Sequence, residues 1–293
     1  MFIATLIAAE RLSSGDISAA EDALSAAGVH SFGRSWIEPD RACDLLFSFS
    51  PQAVRGALEG LIAGIDVIVQ GEARRRRKLL IADMDSTMIT IECIDELADY
   101  AGIKPQIAAI TERAMRGELD FEQALDERVG LLKDLDEAVL ARCHEERVEI
   151  MSGAIPLVRT MRRAGARTLL VSGGFTHFAD RVGRDIGFDT VVSNRLGLAE
   201  GRLDGTVERP IVGADTKLRT LVDTAAVETI DLADTMAVGD GANDIPMLEA
   251  AGLGVAYHAK PRTAAAAAAR IEHCDLTALL FAQGYARSEW TID

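Results

Sequence analysis

The sequence predicts an α/β protein: a Rossmann-like, doubly wound parallel sheet with an inserted helical cap, preceded by a ferredoxin-like βαββαβ unit. Three observations predict it. From residue 79 onward, short apolar strands alternate with helical patterns, as in a parallel sheet covered by helices on both faces. A helix-rich stretch at about 91–150 follows the first of these strands and is too long for a single crossover. Residues 1–71 alternate differently, in the order βαββαβ.

The elements follow in order. "FIATLIA" is a strand. "DISAAEDALSAA", residues 16–27, has helical periodicity, with Asp16 near its start and Gly28 at its end. "SFGRSWIE" and "CDLLFSFS" form two strands joined across Pro39 and Asp40, Pro51 opens a helix over 51–63, and "IDVIVQ" closes the unit. "RRRRK" at 74–78 reads as a solvated linker over 72–78 rather than a phosphate-binding patch. Residues 79–82 begin the second domain, which runs to 293. After the cap come a helix, Gly165, a strand and a Gly-rich turn in "IPLVRTMRRAGARTLLVSGGF". Further strands and helices alternate through "TMAVGD", "NDIPMLEAAG" and "LGVAYH". The alanine run at 263–270 favours helix.

Composition narrows the function. A chain of 293 residues, 48% of them hydrophobic, can bury a large core in two domains. A formal net charge of −15 argues against nucleic-acid and membrane-surface partners, which are polyanions. Cys43, Cys93, Cys143 and Cys274 form no C-x-x-C pair and read as free thiols in a reducing, cytoplasmic setting. No apolar run approaches the roughly 18 residues of a membrane span. The apolar N-terminus lacks a basic n-region and reads as a strand, not a signal peptide.

In an open α/β sheet, ligands bind beyond the carboxyl ends of the strands. Those ends deliver Asp83 and Asp85, then Ser172, Gly173 and Gly174, then Asp240, Asn243 and Asp244, with Lys217 on a helix between the last two groups. Alone, each suits a bland role as a helix cap, tight turn or surface lysine. Together they suit one chemistry. Clustered carboxylates repel one another and call for a cation, and oxygen ligands suit Mg²⁺. A lysine and a Ser-Gly turn supply donors to phosphoryl oxygens. Asp83 is then the nucleophile that forms an aspartyl-phosphate. Asp85 is the acid for the leaving oxygen and afterwards the base for water.

The motifs D-x-D-x-T at 83–87, Ser172-Gly173, Lys217 and G-D-G-x-N-D at 239–244 resemble those of the haloacid dehalogenase superfamily, over about 78–270. Within it, "DMDSTMITIECIDELA", "MRGELDFEQALDERVGLLKDL", "VSGGFTHF" and "GDGANDIPML" resemble the phosphoserine phosphatase family. The resemblance implies Mg²⁺ held by Asp83, Asp240 and the backbone carbonyl of Asp85, supported by Asp244. It implies phosphate binding by Ser172, Gly173 and Lys217, and O-phosphoserine as the substrate. Glu92 would pair with the substrate ammonium and Arg128 with its carboxylate. Asn243 would lie near the phosphate, and Met115 and Phe121 would shield the site. The N-terminal unit resembles an ACT-type regulatory domain in topology, with a homodimer as one expected use.

Other readings stay open from sequence. A phosphoserine:homoserine phosphotransferase would share this core. Another small-molecule phosphomonoesterase would keep the Asp pair without needing Glu92 and Arg128. A signalling receiver also phosphorylates an aspartate, but it is a small single domain without a cap or an acid at the place of Asp85.

Overall fold

The structure, a computed structural model, describes residues 1–292, with Met115 described through its backbone only. It has the predicted α/β architecture. Strands β1 (Phe2–Ala8), β2 (Ser31–Glu38), β3 (Ala42–Phe47) and β4 (Ile65–Gly71) form an antiparallel sheet in the order β2-β3-β1-β4. Helices α1 (Ser14–Ala26) and α2 (Pro51–Leu58) are the two helices of this βαββαβ unit. α1 starts where a capping box allows it: Ser13 accepts from the Asp16 N–H, and Asp16 accepts from the Ser13 N–H.

The second sheet is parallel. Its strands are β5 (Leu79–Ala82), β6 (Arg167–Phe175), β7 (Thr190–Asn194), β10 (Thr235–Gly239), β11 (Leu253–Tyr257) and β12 (Ala269–Ile271), in the order β12-β11-β10-β5-β6-β7. β5 is central, and its four residues are fully buried. The chain runs outward to β6 and β7 on one side, then returns to β10 on the other, so the topology switches beside β5. That switch opens a crevice at the carboxyl ends of β5 and β10. β12 lies within the alanine-rich run. The helix expected there ends early, as α11 (Pro261–Ala266), and residues 269–271 instead extend the sheet beside β11.

Four helices fill the stretch between β5 and β6 that the sequence assigns to a cap: α3 (Cys93–Tyr100), α4 (Lys104–Met115), α5 (Phe121–Leu131) and α6 (Ala138–Arg147). α5 begins with a second capping box, between Asp120 and Gln123. Helix α7 (Ala154–Arg163) leads back into β6 and α8 (Thr176–Ile186) leads out of it. A hairpin of β8 (Leu196–Ala199) and β9 (Arg202–Val207) holds the cap through backbone bonds, with Asp134 N–H donating to Leu203 O and Glu137 N–H to Gly201 O. Helices α9 (Ala214–Val227), α10 (Ile245–Ala250) and α12 (Ala278–Ala282) complete the chain order.

The basic run is not a solvated linker along its length. Arg75 pairs with Asp44 of β3 at 2.6 Å and donates to Ala282 O of α12. Arg77 is 6% exposed, with Nη2 donating to Gln70 of β4 and Nη1 to Ala233 O. Burial lowers its pKa to about 10. Asp66 of β4, also buried, accepts from the backbone N–H groups of Glu272, His273 and Cys274. Ile7, Ala42 and Ile68 join the apolar core that contains Leu279 and Leu280. Short-range composition made this run look like a spacer. Its arginines are used across the junction.

Asp66→Ala removes the acceptor for three backbone donors at that junction. It should cost about 2 kcal/mol or more in urea denaturation, because buried unsatisfied donors each cost about 1–3 kcal/mol. A loss below about 0.5 kcal/mol, the level of an ordinary surface change, would show that the junction does not depend on it.

Candidate active site

The site grows from the end of β5. Asp83 N–H donates to Val238 O of β10, which carries the parallel pairing one residue past the strand. The chain then turns sharply. Met88 and Ile89 both donate to Met84 O, and Ser86 adopts a left-handed φ of 55°. This turn leaves Asp83 and Asp85 at the crevice. From β10 come Asp240 and, three and four residues further on, Asn243 and Asp244. Gly239 has to be glycine here, because a Cβ would sit 2.4 Å from the Asp244 carboxyl.

Lys217 of α9 has no exposure and lies between two acids. Its Nζ is 2.7 Å from Asp83 Oδ1 and 2.7 Å from Asp244 Oδ1. Burial works against the lysine charge, but Asp244 and Asp83 outweigh it and hold its pKa above the ordinary value. Asp83 Oδ1 also accepts from Met84 N–H, which fixes the carboxylate plane. Burial, then the Asp244 charge, push the Asp83 pKa well up against the pull of Lys217. Burial followed by Asp244 brings Asp240 to about 6. Asp85 reaches about 7, chiefly through burial and then the nearby Glu92 charge.

A cavity of about 270 Å³ opens above this cluster. Asp83, Asp85, Glu92, Phe121, Arg128, Ser172, Gly173, Asp240 and Asn243 all line it. Lys217 and Asp244 lie buried beneath. Met115 was expected to shield the site, but its side chain lies outside the described residues. Glu92 is held by the Ser86 hydroxyl at 2.7 Å. Arg128 donates Nε to Ala124 O of its own helix. The Phe121 ring closes on the core, where a Cβ on Gly173 would lie 3.1 Å from its Cζ.

Lys260 and Asn194 at the site were not singled out from sequence, and Thr87 entered only as the last residue of D-x-D-x-T. Thr87 is fully buried and donates to Asp240 Oδ1 at 3.2 Å. Lys260 follows β11 and lines the cavity mouth. The strand-end rule applied to "LGVAYH" would have found it. Asn194, at the end of β7, bonds to Gly173 O. It lies in no quoted motif.

Asp83, Asp240 and Asp244 offer carboxylate oxygens within 4.8 Å of one another. All three are buried, and their hard oxygen donors fit a small divalent cation. Asp85 is not part of this carboxylate set, and its expected share is the backbone carbonyl.

A doubly wound sheet with acids, a buried lysine and a Ser-Gly turn at its switch point defines a phosphoryl-transfer hydrolase core. The family model for haloacid dehalogenase-like hydrolases matches residues 80–249. The chain belongs to this family. It is similar to the phosphoserine phosphatase of Haemophilus influenzae, with 46% identity over 202 residues, 69% of this chain and 64% of that protein. The chain therefore spans less than two thirds of that relative's length. A probable phosphoserine phosphatase from Vibrio cholerae, solved without ligand, superposes with a TM-score of 0.78 at 33% identity, over 98% of this chain and 87% of that one. A phospho-aspartyl intermediate analogue of phosphoserine phosphatase gives 0.65 at 39% identity, over 70% of this chain and 98% of that one. Among the described residues, no helix is long and apolar enough to cross a membrane.

The raised carboxylates predict a pH effect on stability. Asp240 at about 6 and Asp85 at about 7 bind protons in the folded state that the unfolded chain, near 3.8, has already released. Their favourable protonation is complete below about pH 3.8 and is lost as pH rises through 6–7. Between those limits, metal-free protein should lose stability as pH rises, and Mg²⁺ should raise Tm more at pH 8 than at pH 5. Thermal melts of the wild type and Asp240→Asn check this. An equal Mg²⁺ effect at both pH values, or an unchanged one in Asp240→Asn, contradicts a cation at these acids.

Proposed function

We propose that the chain is a Mg²⁺-dependent phosphoserine phosphatase, hydrolysing O-phosphoserine to serine and phosphate through an aspartyl-phosphate on Asp83. The observation that carries this reading is one cavity that joins the acid–lysine cluster to a fixed anion, Glu92, and a fixed cation, Arg128. Phosphoserine presents the complementary groups, a phosphate, an ammonium and a carboxylate. The likeness to phosphoserine phosphatases supports the same substrate.

The chemistry follows from the residues. Lys217 and Met84 N–H hold Asp83 Oδ1, and we assign the attack on phosphorus to Oδ2. As the bond to the serine oxygen breaks, Asp85 gives that oxygen a proton. Asp85, now a carboxylate, takes a proton from water as the water attacks phosphorus. The bond to Asp83 breaks and phosphate leaves. A group with a pKa near 7 can give and then take a proton at neutral pH. Mg²⁺, when bound at Asp83, Asp240, Asp244 and the Asp85 carbonyl, offsets the repulsion between phosphate and carboxylate. Ser172, Gly173 and Lys217 face the phosphoryl oxygens, Asn243 lies beside them, and Phe121 keeps water out. On this reading the chain divides into an N-terminal unit at 1–71, the junction at 72–78 and a phosphatase domain at 79–293, capped at about 91–150. The N-terminal unit would serve regulation or the pairing of two copies, and the exposed Phe32 and Trp36 on its edge strand β2 support the second use. Four buried free cysteines accord with the cytoplasm.

Phosphate release from phosphoserine, with and without homoserine, tests the reaction and separates hydrolysis from transfer. Asp83→Asn should abolish turnover while Tm shows a folded chain, and near-normal turnover would remove the covalent step. Arg128→Ala should lower kcat/KM for phosphoserine by roughly 30-fold or more, the scale of a lost charged contact of about 2–5 kcal/mol. It should leave p-nitrophenyl phosphate nearly unaffected. Equal losses on both substrates would assign Arg128 to phosphate or to the fold.

A further inference from the structure

We propose that Asn194 is a positioning residue for the phosphoryl group. It holds the Gly173–Gly174 peptide so that Ser172 must turn its hydroxyl proton toward the bound anion. This role rests on the phosphatase reading of the cavity.

The need for such a residue comes from the sheet. β6 and β7 pair in register from Leu169 with Thr190 to Ser172 with Ser193, and the next pair is Phe175 with Asn194. Gly173 and Gly174 are therefore pushed out of the ladder. A bulge of this kind re-aims the chain at the cost of its regular hydrogen bonds. Two adjacent glycines also make rotation of the peptide between them easy.

That peptide is pinned at both ends. Its carbonyl, Gly173 O, accepts from Asn194 Nδ2 at 2.9 Å. Its N–H, on Gly174, donates to Ser172 Oγ at 2.9 Å. Ser172 is 1% exposed and lines the cavity. A hydroxyl has one proton to give. With the Gly174 N–H occupying an acceptor site on Oγ, the proton of Ser172 is left for the cavity. A reversed peptide would offer Ser172 a carbonyl instead, and the proton would turn to that carbonyl rather than to the anion.

Asn194 is itself fixed. It is 2% exposed. Its Nδ2 also donates to Val212 O at 3.1 Å, and its Oδ1 accepts from Val212 N–H at 2.7 Å. Val212 is followed by Gly213, the N-cap of α9, which carries Lys217. One side chain thus ties the Ser172 turn to the start of the lysine helix. An amide is suited to this place, because two carbonyls need donors and one N–H needs an acceptor.

The test uses the full chain with Mg²⁺ and inorganic phosphate as the probe, with affinity read by calorimetry. Asn194→Ala and Ser172→Ala should each weaken phosphate binding by about tenfold, as for a lost hydrogen bond to a charged group. The double variant should be within about threefold of the weaker single one, because coupled residues are not additive. Wild-type affinity in Asn194→Ala, or losses that multiply in the double variant, overturns the proposal. Should Asn194→Ala not fold, the Gly174 amide in wild-type protein decides. It should exchange slowly with solvent, and faster in Ser172→Ala. Exchange in the wild type at the rate of a free amide overturns the pinned peptide. A chain that binds phosphate as expected yet leaves phosphoserine intact defeats the proposed function and keeps this role for Asn194. Phosphoserine turnover with unchanged phosphate affinity in Asn194→Ala does the reverse.

Discussion

A lysine with no solvent exposure sits between two buried aspartates at the carboxyl edge of a parallel sheet. A charge so placed is tolerable only if it is paired. Lys217 therefore cannot move away from Asp83 and Asp244 without leaving an uncompensated charge in the core. Asp83 continues β5, Asp244 follows β10, and Lys217 sits in the second turn of α9. The triad ties three separate elements to one point. Two acids and one cation still leave Asp240 and Asp85 uncompensated, which is why burial raises their pKa values and why the cluster fits a divalent cation.

The rest of the site is built against that point by close approach. Gly239 leaves room for the Asp244 carboxyl, and Gly173 and Gly213 leave room for the Phe121 ring. A Cβ on Gly174 would sit 3.0 Å from both Asp85 Oδ2 and Ser172 Oγ. These glycines are places where side chain meets backbone at contact distance, so their positions record the shape of the site. Phe121 rests on both the Ser172 turn and the segment before α9, so the cap touches the turn that lines the cavity and the start of the lysine helix.

Much of this was legible in the sequence because the chemistry lies at strand ends. "LLIADMD", "LLVSGG" and "MAVGDGAND" each announce a strand by its apolar run and deliver polar groups as it stops. A parallel sheet brings such ends to one edge whatever the loops between them do. What stayed hidden depends on contacts between distant parts. Arg75 and Arg77 looked like spacer charge because their partners, Asp44, Gln70 and Ala233 O, lie far away or across the junction. The strand at 269–271 was masked by alanine's helical preference, which a free place beside β11 overrides. Asn194 carries no local signal, since its value lies in bonds to two separated backbone segments.

The cap's place in the chain also has a physical reason. An insertion between β5 and β6 leaves the ladder of the sheet intact and emerges beside the Asp83–Ser86 turn. Glu92 is bonded to Ser86, the residue after Asp85, so a carboxylate that lines the cavity is fixed to the turn that carries Asp83 and Asp85. Arg128 comes from α5, deeper in the cap, and α5 is braced in turn by the β8–β9 hairpin that leads on to Val212 and α9. Glu92 and Arg128 are thus anchored independently, one to the Asp83–Ser86 turn and one to α5. Phe121, at the start of the same helix, packs against Gly173 and Gly213, so α5 carries Arg128 to the cavity on a contact with the core.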